Sequence, residues 1–141
     1  GRVVRLARLI EKLHETELLR HGLTTGDFDV IATMRRRTHS GTMNVRELQP
    51  STLLSSGGIT KRLDRLEMAG LLERLPDPND RRGVLIRLTV EGLAIADQSI
   101  LAITAIDNQL ITATIDSPTT QSNIADAMRK MLIHLEGTEE T

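Results

Sequence analysis

Residues 54–89 read LSSGGITKRLDRLEMAGLLERLPDPNDRRGVLIRLT, and the change of periodicity within them decides the fold. From 55 to 68 the apolar residues recur every three or four positions, as they do on one face of an α-helix. Two short strand-like runs follow, 71–75 and 84–88. The eight residues between these runs, 76–83, are rich in turn formers and predict a hairpin loop. The stretch therefore predicts a capped helix followed by a β-hairpin.

Helices are predicted on both sides of this stretch. Apolar spacing indicates helices over 3–20, 24–37 and 45–49 before it, and over 89–115 and 117–135 after it. Side chains that can accept a hydrogen bond from a helix N-terminus stand where these helices begin, at Thr24, Asn44, Ser55, Thr89 and Ser117. We therefore expect a mainly α fold with a small β-hairpin wing, in which a winged helix-turn-helix is joined to further helices.

Length and composition limit the classes of protein that fit. A chain of 141 residues with 39% apolar and 26% charged residues corresponds to one globular domain, 1–141. The absence of Cys excludes disulfides, thiolate metal sites and a thiol redox switch. With one Phe and no Trp or Tyr, the chain lacks the stacking platforms on which single-stranded nucleic-acid binding relies.

The four histidines lack the spacing of a metal site, so we expect no metal and no cofactor. No nucleophile–base pair, paired carboxylate motif or phosphate loop can be assembled, which argues against an enzyme. No apolar run approaches the roughly 20 residues that span a bilayer, and no leader pattern opens the chain, so we expect no membrane partner.

The formal net charge of −1 conceals two regions of opposite charge. Residues 1–88 hold 16 Lys and Arg against 11 Asp and Glu, whereas residues 89–141 hold 2 against 8. A basic region suggests a polyanionic partner, although charged faces are more often simply solvated.

The segment 54–89 resembles the core of the MarR family of transcriptional regulators. The wing carries the family's Asp-x-Arg pattern at Asp80 and Arg82, with Gly70-Leu71 before it and Leu88-Thr89 after it. The order of the flanking helices also agrees, so the resemblance extends over essentially the whole chain. It implies a winged helix-turn-helix at about 24–89 and dimerisation helices at about 1–21 and 90–137.

The resemblance also implies a set of DNA-binding residues. They are Ser55, Ser56, Gly58, Thr60, Lys61, Arg62, Arg65, Asp80, Arg81 and Arg82. Those from 55 to 61 belong to the N-terminal part of a recognition helix, which touches base edges in the major groove. Of Arg62 and Arg65, one is expected to contact phosphate, or to pair with Asp64 or an acidic wing residue, and not to read a base.

The wing residues are expected to act differently from those of the helix. Arg82 matches the family position that enters the minor groove, where negative potential is concentrated. Asp80 matches the acid that orients this arginine through a salt bridge. We expect Arg81 to contact phosphate.

These features imply a cytoplasmic homodimer that binds a pseudo-palindromic operator in double-stranded DNA and is released, as a repressor, by a small-molecule effector. The helix at 89–115 independently favours a dimer, because it is apolar on more sides than one small domain can cover. Neither the effector nor its binding residues follow from the sequence. The alternative is a winged-helix protein–protein interaction module that does not bind DNA.

Overall fold

The computed structural model describes residues 1–52 and 54–137. Residue 53 and the last four residues of the predicted domain lie outside the described part. The helices are α1 (Arg2–Arg20), α2 (Thr25–Arg37), α3 (Val45–Leu48), α4 (Ser56–Met68), α5 (Val90–Thr114) and α6 (Pro118–Glu136), with a 3-10 turn at Gln49–Ser51. The strands are β1 (Thr42–Asn44), β2 (Leu72–Asp77) and β3 (Asp80–Leu88). The chain forms two compact units, Gly1–Thr104 and Ala105–Thr141.

The predicted helix caps are confirmed. Thr24 and Asn44 each form a capping box with the acid three residues on, and the hydroxyl of Ser55 accepts from the amide of Gly58 at 3.2 Å. Gly70 follows α4 with φ of +73°, and the amide of Leu71 donates to the carbonyl of Leu66 at 3.0 Å. This is the Schellman arrangement that only a residue tolerant of positive φ completes. Local sequence thus fixes where α4 begins and ends.

The sheet differs from its prediction in two respects. It has three strands in the order β1-β3-β2, because the short β1 pairs with β3 in an antiparallel register with Met43 opposite Ile86. The hairpin loop is also shorter than the predicted eight residues. Strand pairing continues to Asp77 opposite Asp80, across an irregularity between Pro76 and Asp77, so a two-residue turn closes the wing.

One hydrophobic core holds the first unit together. The inward positions predicted for α4, Ile59, Leu63 and Leu66, are buried in it. They pack in one cluster with residues of α1, α2, α3, the sheet and α5, namely Leu18, Leu23, Val30, Ile31, Met34, Met43, Leu48, Leu72, Ile86, Leu88, Ala96 and Ile103. This packing fixes α4 against the sheet and leaves its opposite face exposed.

The terminal helices leave much apolar surface uncovered within one chain. Leu101 of α5 is 71% exposed, and α6 has no buried residue. The predicted apolar stripe of α6, which includes Met128 and Leu132, is present but exposed. Thus the expectation that the helix at 89–115 is buried on most sides is not met by a single chain. In the described ranges, no helix is both long and apolar enough to cross a membrane.

A close backbone contact joins the start of α5 to the start of the wing. The hydroxyl of Thr89 donates to the carbonyl of Gly70 at 2.7 Å and accepts from the amide of Gly92 at 3.0 Å. A Cβ at Gly92 would lie 1.9 Å from the carbonyl oxygen of Leu71. The contact therefore requires glycine at position 92, for space and not for backbone conformation.

We expect Gly92→Ala to destabilise the protein by about 3 kcal/mol, because a backbone atom cannot yield as a flexible side chain does. Gly57→Ala is the matched control, since a Cβ at Gly57 meets nothing within 4 Å. In α4 it should be neutral or stabilise by up to about 1 kcal/mol through helix propensity. Urea unfolding measures both, and equal stability of Gly92→Ala and the unsubstituted protein would contradict the packing described.

Candidate nucleic-acid interface

The exposed face of α4 carries small and basic side chains. Thr60 and Lys61 are exposed, as predicted, and the hydroxyl of Thr60 donates to the carbonyl of Ser56 at 3.2 Å. The helix begins at Ser55 and Ser56, both exposed, which places amide groups and hydroxyls at its positive end. Gly57 borders open space, so no neighbour among the described residues requires a glycine there. The face is one that another molecule can approach closely.

Arg62 and Arg65 belong to a different face of the same helix. Both pair with the carboxylate of Asp27 on α2, with nitrogen–oxygen distances of 3.9 Å for Arg62 and 3.1 Å for Arg65. The predicted alternatives of Asp64 or a wing acid as their partner are therefore wrong. The carboxylate of Asp64 instead pairs with Arg74 of β2 at 2.7 Å.

The wing presents two adjacent arginines at the start of β3. Arg81 and Arg82 are both exposed. Pairing with β2 steps from Val84 directly to Asp80, so both arginines lie in an irregular segment of β3 that the strand register does not include. The predicted division, in which Arg82 enters a groove and Arg81 meets the backbone, stays a prediction.

Asp80 has partners other than the predicted one. Its carboxylate accepts from the main-chain amide of Arg82 at 2.9 Å and pairs with the guanidinium of Arg46, on α3, at 3.3 Å. The expected salt bridge to the Arg82 side chain is replaced, because the two-residue turn brings the amide of Arg82 to the carboxylate. Asp80 thus shapes the turn and ties it to α3, and the Arg82 side chain has no carboxylate partner in the described part of the chain.

A second contact braces the base of the turn. The side-chain amide of Asn44 donates to Asp77 at 2.9 Å, so β1 and the wing are linked by a polar contact beyond strand pairing. Gly83 is buried where a Cβ would lie 3.0 Å from the Cβ of Asp77. The wing tip is therefore held in one place by its own packing.

Arg74 joins the wing to α4. Its guanidinium bonds the carboxylates of Asp64 and Glu67, both on α4. Burial lowers the pKa of Arg74, but the hydrogen bonds and charges of the two carboxylates outweigh this and hold the pKa above its ordinary value. The link stays charged, and the angle between wing and helix is fixed by it.

A shallow groove lies between the outer face of α4 and the root of the wing. It has a volume of about 320 Å³ and is lined by Asn44, Val45, Arg46, Thr60, Leu63, Arg74, Arg82, Gly83 and Val84. Three of these residues are arginines. The groove is thus bordered by the helix and strand that carry the predicted site, and Arg46 and Arg74 in its lining have carboxylate partners.

The cations of α3, α4 and the wing fall into paired and unpaired groups. Arg46, Arg62, Arg65 and Arg74 have carboxylate partners. Among the residues that the structure describes, no ion pair is found for Lys61, Arg81 or Arg82. These three charges are exposed and available to an anionic partner.

Sequence reasoning missed the residues that position the site. No ion pair was predicted for Asp27, and neither Arg46 nor Asn44 was assigned a contact with the wing. Arg74 was not singled out. In the sequence, an acid at the third position of a helix looks like any capping residue. An arginine on a short strand likewise looks like any surface charge. Their partners are distant in the chain.

Comparisons of the sequence with a family model and with individual known proteins indicate the same family. Residues 31–84, from α2 to the wing, match the model of the MarR family. The HTH-type transcriptional regulator PecS of Dickeya dadantii is 35% identical over 98 residues, which are 70% of this chain and 59% of PecS. The multiple antibiotic resistance protein MarR of Escherichia coli is 36% identical over 103 residues, which are 68% of this chain and 69% of that protein. The chain thus spans less than two thirds of the length of PecS.

A solved structure supports the same relationship. The crystal structure of a mutant MarR from Escherichia coli complexed with operator DNA superposes with a TM-score of 0.80 at 28% identity. The superposition covers 94% of this chain and 92% of that one. The six-helix arrangement with its three-stranded wing is therefore shared along almost the whole of both chains.

Proposed function

This chain belongs to the MarR family of winged helix-turn-helix transcriptional regulators, and we propose that it binds double-stranded DNA sequence-specifically at a pseudo-palindromic operator, as a homodimer. As a member of that family it is a transcriptional regulator and not an enzyme. We assign α4 to the major groove and the wing to the adjacent minor groove.

The observation that carries the proposal is the set of unpaired cations at Lys61, Arg81 and Arg82. They lie on the outer face of α4 and at the wing tip, while the neighbouring arginines are neutralised by carboxylates. Each unpaired cation that reaches a phosphate releases condensed counterions, which supplies affinity. The hydroxyls of Ser55, Ser56 and Thr60 add hydrogen-bonding groups beside Lys61, and the small residues Gly57 and Gly58 admit a close approach.

Support for the homodimer comes from the terminal helices. They leave large apolar side chains exposed, among them Leu6 and Leu9 of α1, Leu101 of α5 and Leu132 of α6. An apolar surface of this extent on one chain indicates a protein interface. A two-fold axis would present two α4 helices to successive major grooves, which explains a pseudo-palindromic site.

We further propose that the protein is a cytoplasmic repressor that a small-molecule effector releases from DNA. This part rests on the family relationship, since the residues that would hold an effector are not identified. Mobility shifts of the operator complex with a panel of small phenolic compounds test it. Release by none of them would leave a constitutive regulator and contradict this part alone.

The alternative is a winged-helix interaction module that does not bind DNA. The basic residues of α4 and the wing argue against this module, because a protein that does not bind DNA gains nothing from unpaired cations on these elements. An electrophoretic shift on the DNA upstream of its own gene separates the two functions. Failure to shift that DNA at low salt, together with capture of a defined protein partner, would favour the module.

We expect Arg82→Ala to weaken operator and scrambled duplex by similar factors, because a minor-groove arginine discriminates little among bases. The slope of log K against log salt should flatten by about 0.9 per subunit.

Lys61→Ala should instead lose about 1–3 kcal/mol more on operator than on scrambled DNA. Fluorescence anisotropy over a salt series measures both, with Lys130→Ala, outside the winged helix, as the control. Equal losses on both duplexes for Lys61→Ala would exclude it from base recognition.

Asp80→Ala should weaken DNA binding although it removes a negative charge. The carboxylate bonds the amide of Arg82 and pairs with Arg46, so its loss frees the wing tip. Glu73→Ala is the control, since it removes the same charge from the wing without touching the turn. The same anisotropy assay decides the point. Tighter binding by Asp80→Ala would mean that the wing acts only as a diffuse positive patch.

The unsubstituted protein should have twice the 15.6 kDa mass of one chain in light scattering. Leu101→Glu should weaken the dimer at least about 100-fold, because a charge would be buried at the interface. Gln98→Glu adds the same charge at an exposed polar position of α5 and should leave the mass unchanged. A stable folded monomer of the unsubstituted protein would contradict the dimer.

A further inference from the structure

The carboxylate of Asp27 is buried to an extent that capping does not explain. The residue is 1% exposed, and its Oδ2 accepts from the amide of Thr24 at 2.9 Å. Its Oδ1 is buried without a hydrogen-bond partner in the described part of the chain. Burial of a charged carboxylate costs several kcal/mol unless opposite charges compensate it. An amide side chain would serve the cap equally well, so the charge at this position has another use.

That use is the pair of guanidinium groups presented by α4. Arg62 and Arg65 stand three residues apart, hence as neighbours on one helical face, and both are directed at this carboxylate. Their side chains are only 25% and 49% exposed. Asp27 is thus the point at which the scaffold helix α2 meets the recognition helix through charge.

Gly26 shows how closely Arg62 lies against α2. A Cβ at this glycine would be 2.6 Å from Nε of Arg62, so the arginine occupies space that any other residue type would take. The first turn of α2 therefore offers both a bare backbone and a carboxylate to α4. Two independent features of α2 accommodate the same arginine.

We propose that Asp27 is a positioning residue that anchors the recognition helix through Arg62 and Arg65 and withholds both charges from DNA. This inference rests on the proposed function. With both guanidinium groups held at Asp27, the affinity of α4 comes from Lys61 and the groups beside it, which read bases. With the charges released, phosphate contacts that are blind to sequence would grow.

The first test uses Arg62→Gln and Arg65→Gln, each in the otherwise unchanged protein, with anisotropy on operator and scrambled duplex. The salt slope should stay within about 0.3 of the unsubstituted value, because guanidinium groups held at Asp27 contact no phosphate. A phosphate contact would instead flatten the slope by about 0.9 for each arginine. Flattening of that size overturns the proposal.

The second test uses Asp27→Asn, which keeps an acceptor for the Thr24 amide and removes the charge. Binding to scrambled duplex should tighten, its salt slope should steepen by about 1–2 per subunit, and the ratio of operator to scrambled affinity should fall. Adding Arg62→Gln and Arg65→Gln to Asp27→Asn should restore the original slope. Failure of that restoration, or an unchanged slope in Asp27→Asn, overturns the proposal.

Glu47→Gln is the matched control for Asp27→Asn. Glu47 holds the equivalent capping-box position of α3, bonding the amide of Asn44 at 3.4 Å, and no arginine pairs with it in the described ranges. It removes one charge without releasing a guanidinium. Its salt slope should therefore change by less than half as much as that of Asp27→Asn.

Hydrogen exchange without DNA tests the anchor separately. In Asp27→Asn the amides of α4 should exchange at least about tenfold faster, equivalent to about 1.4 kcal/mol of local stability. In Glu47→Gln the exchange rate of the α4 amides should stay unchanged. Failure of the unsubstituted protein to bind either duplex would refute the proposed function alone, and exchange of α4 would still decide the anchor. If the α4 amides of Asp27→Asn exchange as slowly as those of the unsubstituted protein, Asp27 does not anchor α4 and the proposal is overturned.

Discussion

The contact between Thr89, Gly92 and the turn after α4 is the constraint on which the rest of the winged helix depends. One threonine hydroxyl joins the carbonyl of Gly70 to the first turn of α5, and the amide of Thr89 donates to Leu71 at 3.1 Å. Four elements therefore meet within a few residues: the end of α4, the start of β2, the end of β3 and the start of α5. The direction of the wing and that of the recognition helix are set together.

Charge is distributed over this framework in two ways. Some arginines hold elements to one another, as Arg74 holds the wing to α4 and Arg35 of α2 holds Asp97 of α5 at 2.7 Å. Others, such as Lys61 and Arg82, extend from the surface without a carboxylate among the described residues. A count of basic residues in the sequence cannot separate these groups, because the partners of the first group come from distant positions. The positive balance of residues 1–88 is thus a poor measure of the charge that a polyanion would meet.

The local features of the fold could be predicted from sequence, and the pairwise ones could not. Thr24, Asn44 and Ser55 cap their helices through bonds to residues two or three positions away, so a short window contains the whole interaction. The strand β1 escaped detection because three residues are too few to show alternation, and its existence depends on β3 more than 40 positions later. The wing turn was predicted too long because Pro76 and Asp77 read as turn formers although pairing with β3 keeps them in the strand.

The same distinction applies to the site. The face of α4 that carries Thr60 and Lys61 follows from helical spacing alone, since Ile59, Leu63 and Leu66 must point into the core. The partners of Arg62 and Arg65 do not follow from helical spacing. The spacing predicts on which face of α4 an arginine lies, but not which residue of another element lies opposite that face. Asp27 stands there only because α2 packs across α4.

The short, braced turn of the wing bears on the thermodynamics of any encounter with a partner. A long disordered loop would have to lose its backbone freedom on contact, at about 1–2 kcal/mol for each residue ordered. Here Asp80 and Val84, on either side of Arg82, are already paired with β2, and the carboxylate of Asp80 accepts from the amide of Arg82 between them. When a partner binds, only a few side-chain rotamers of the wing then have to be ordered. Association is then limited by orientation and electrostatic steering and not by a folding step.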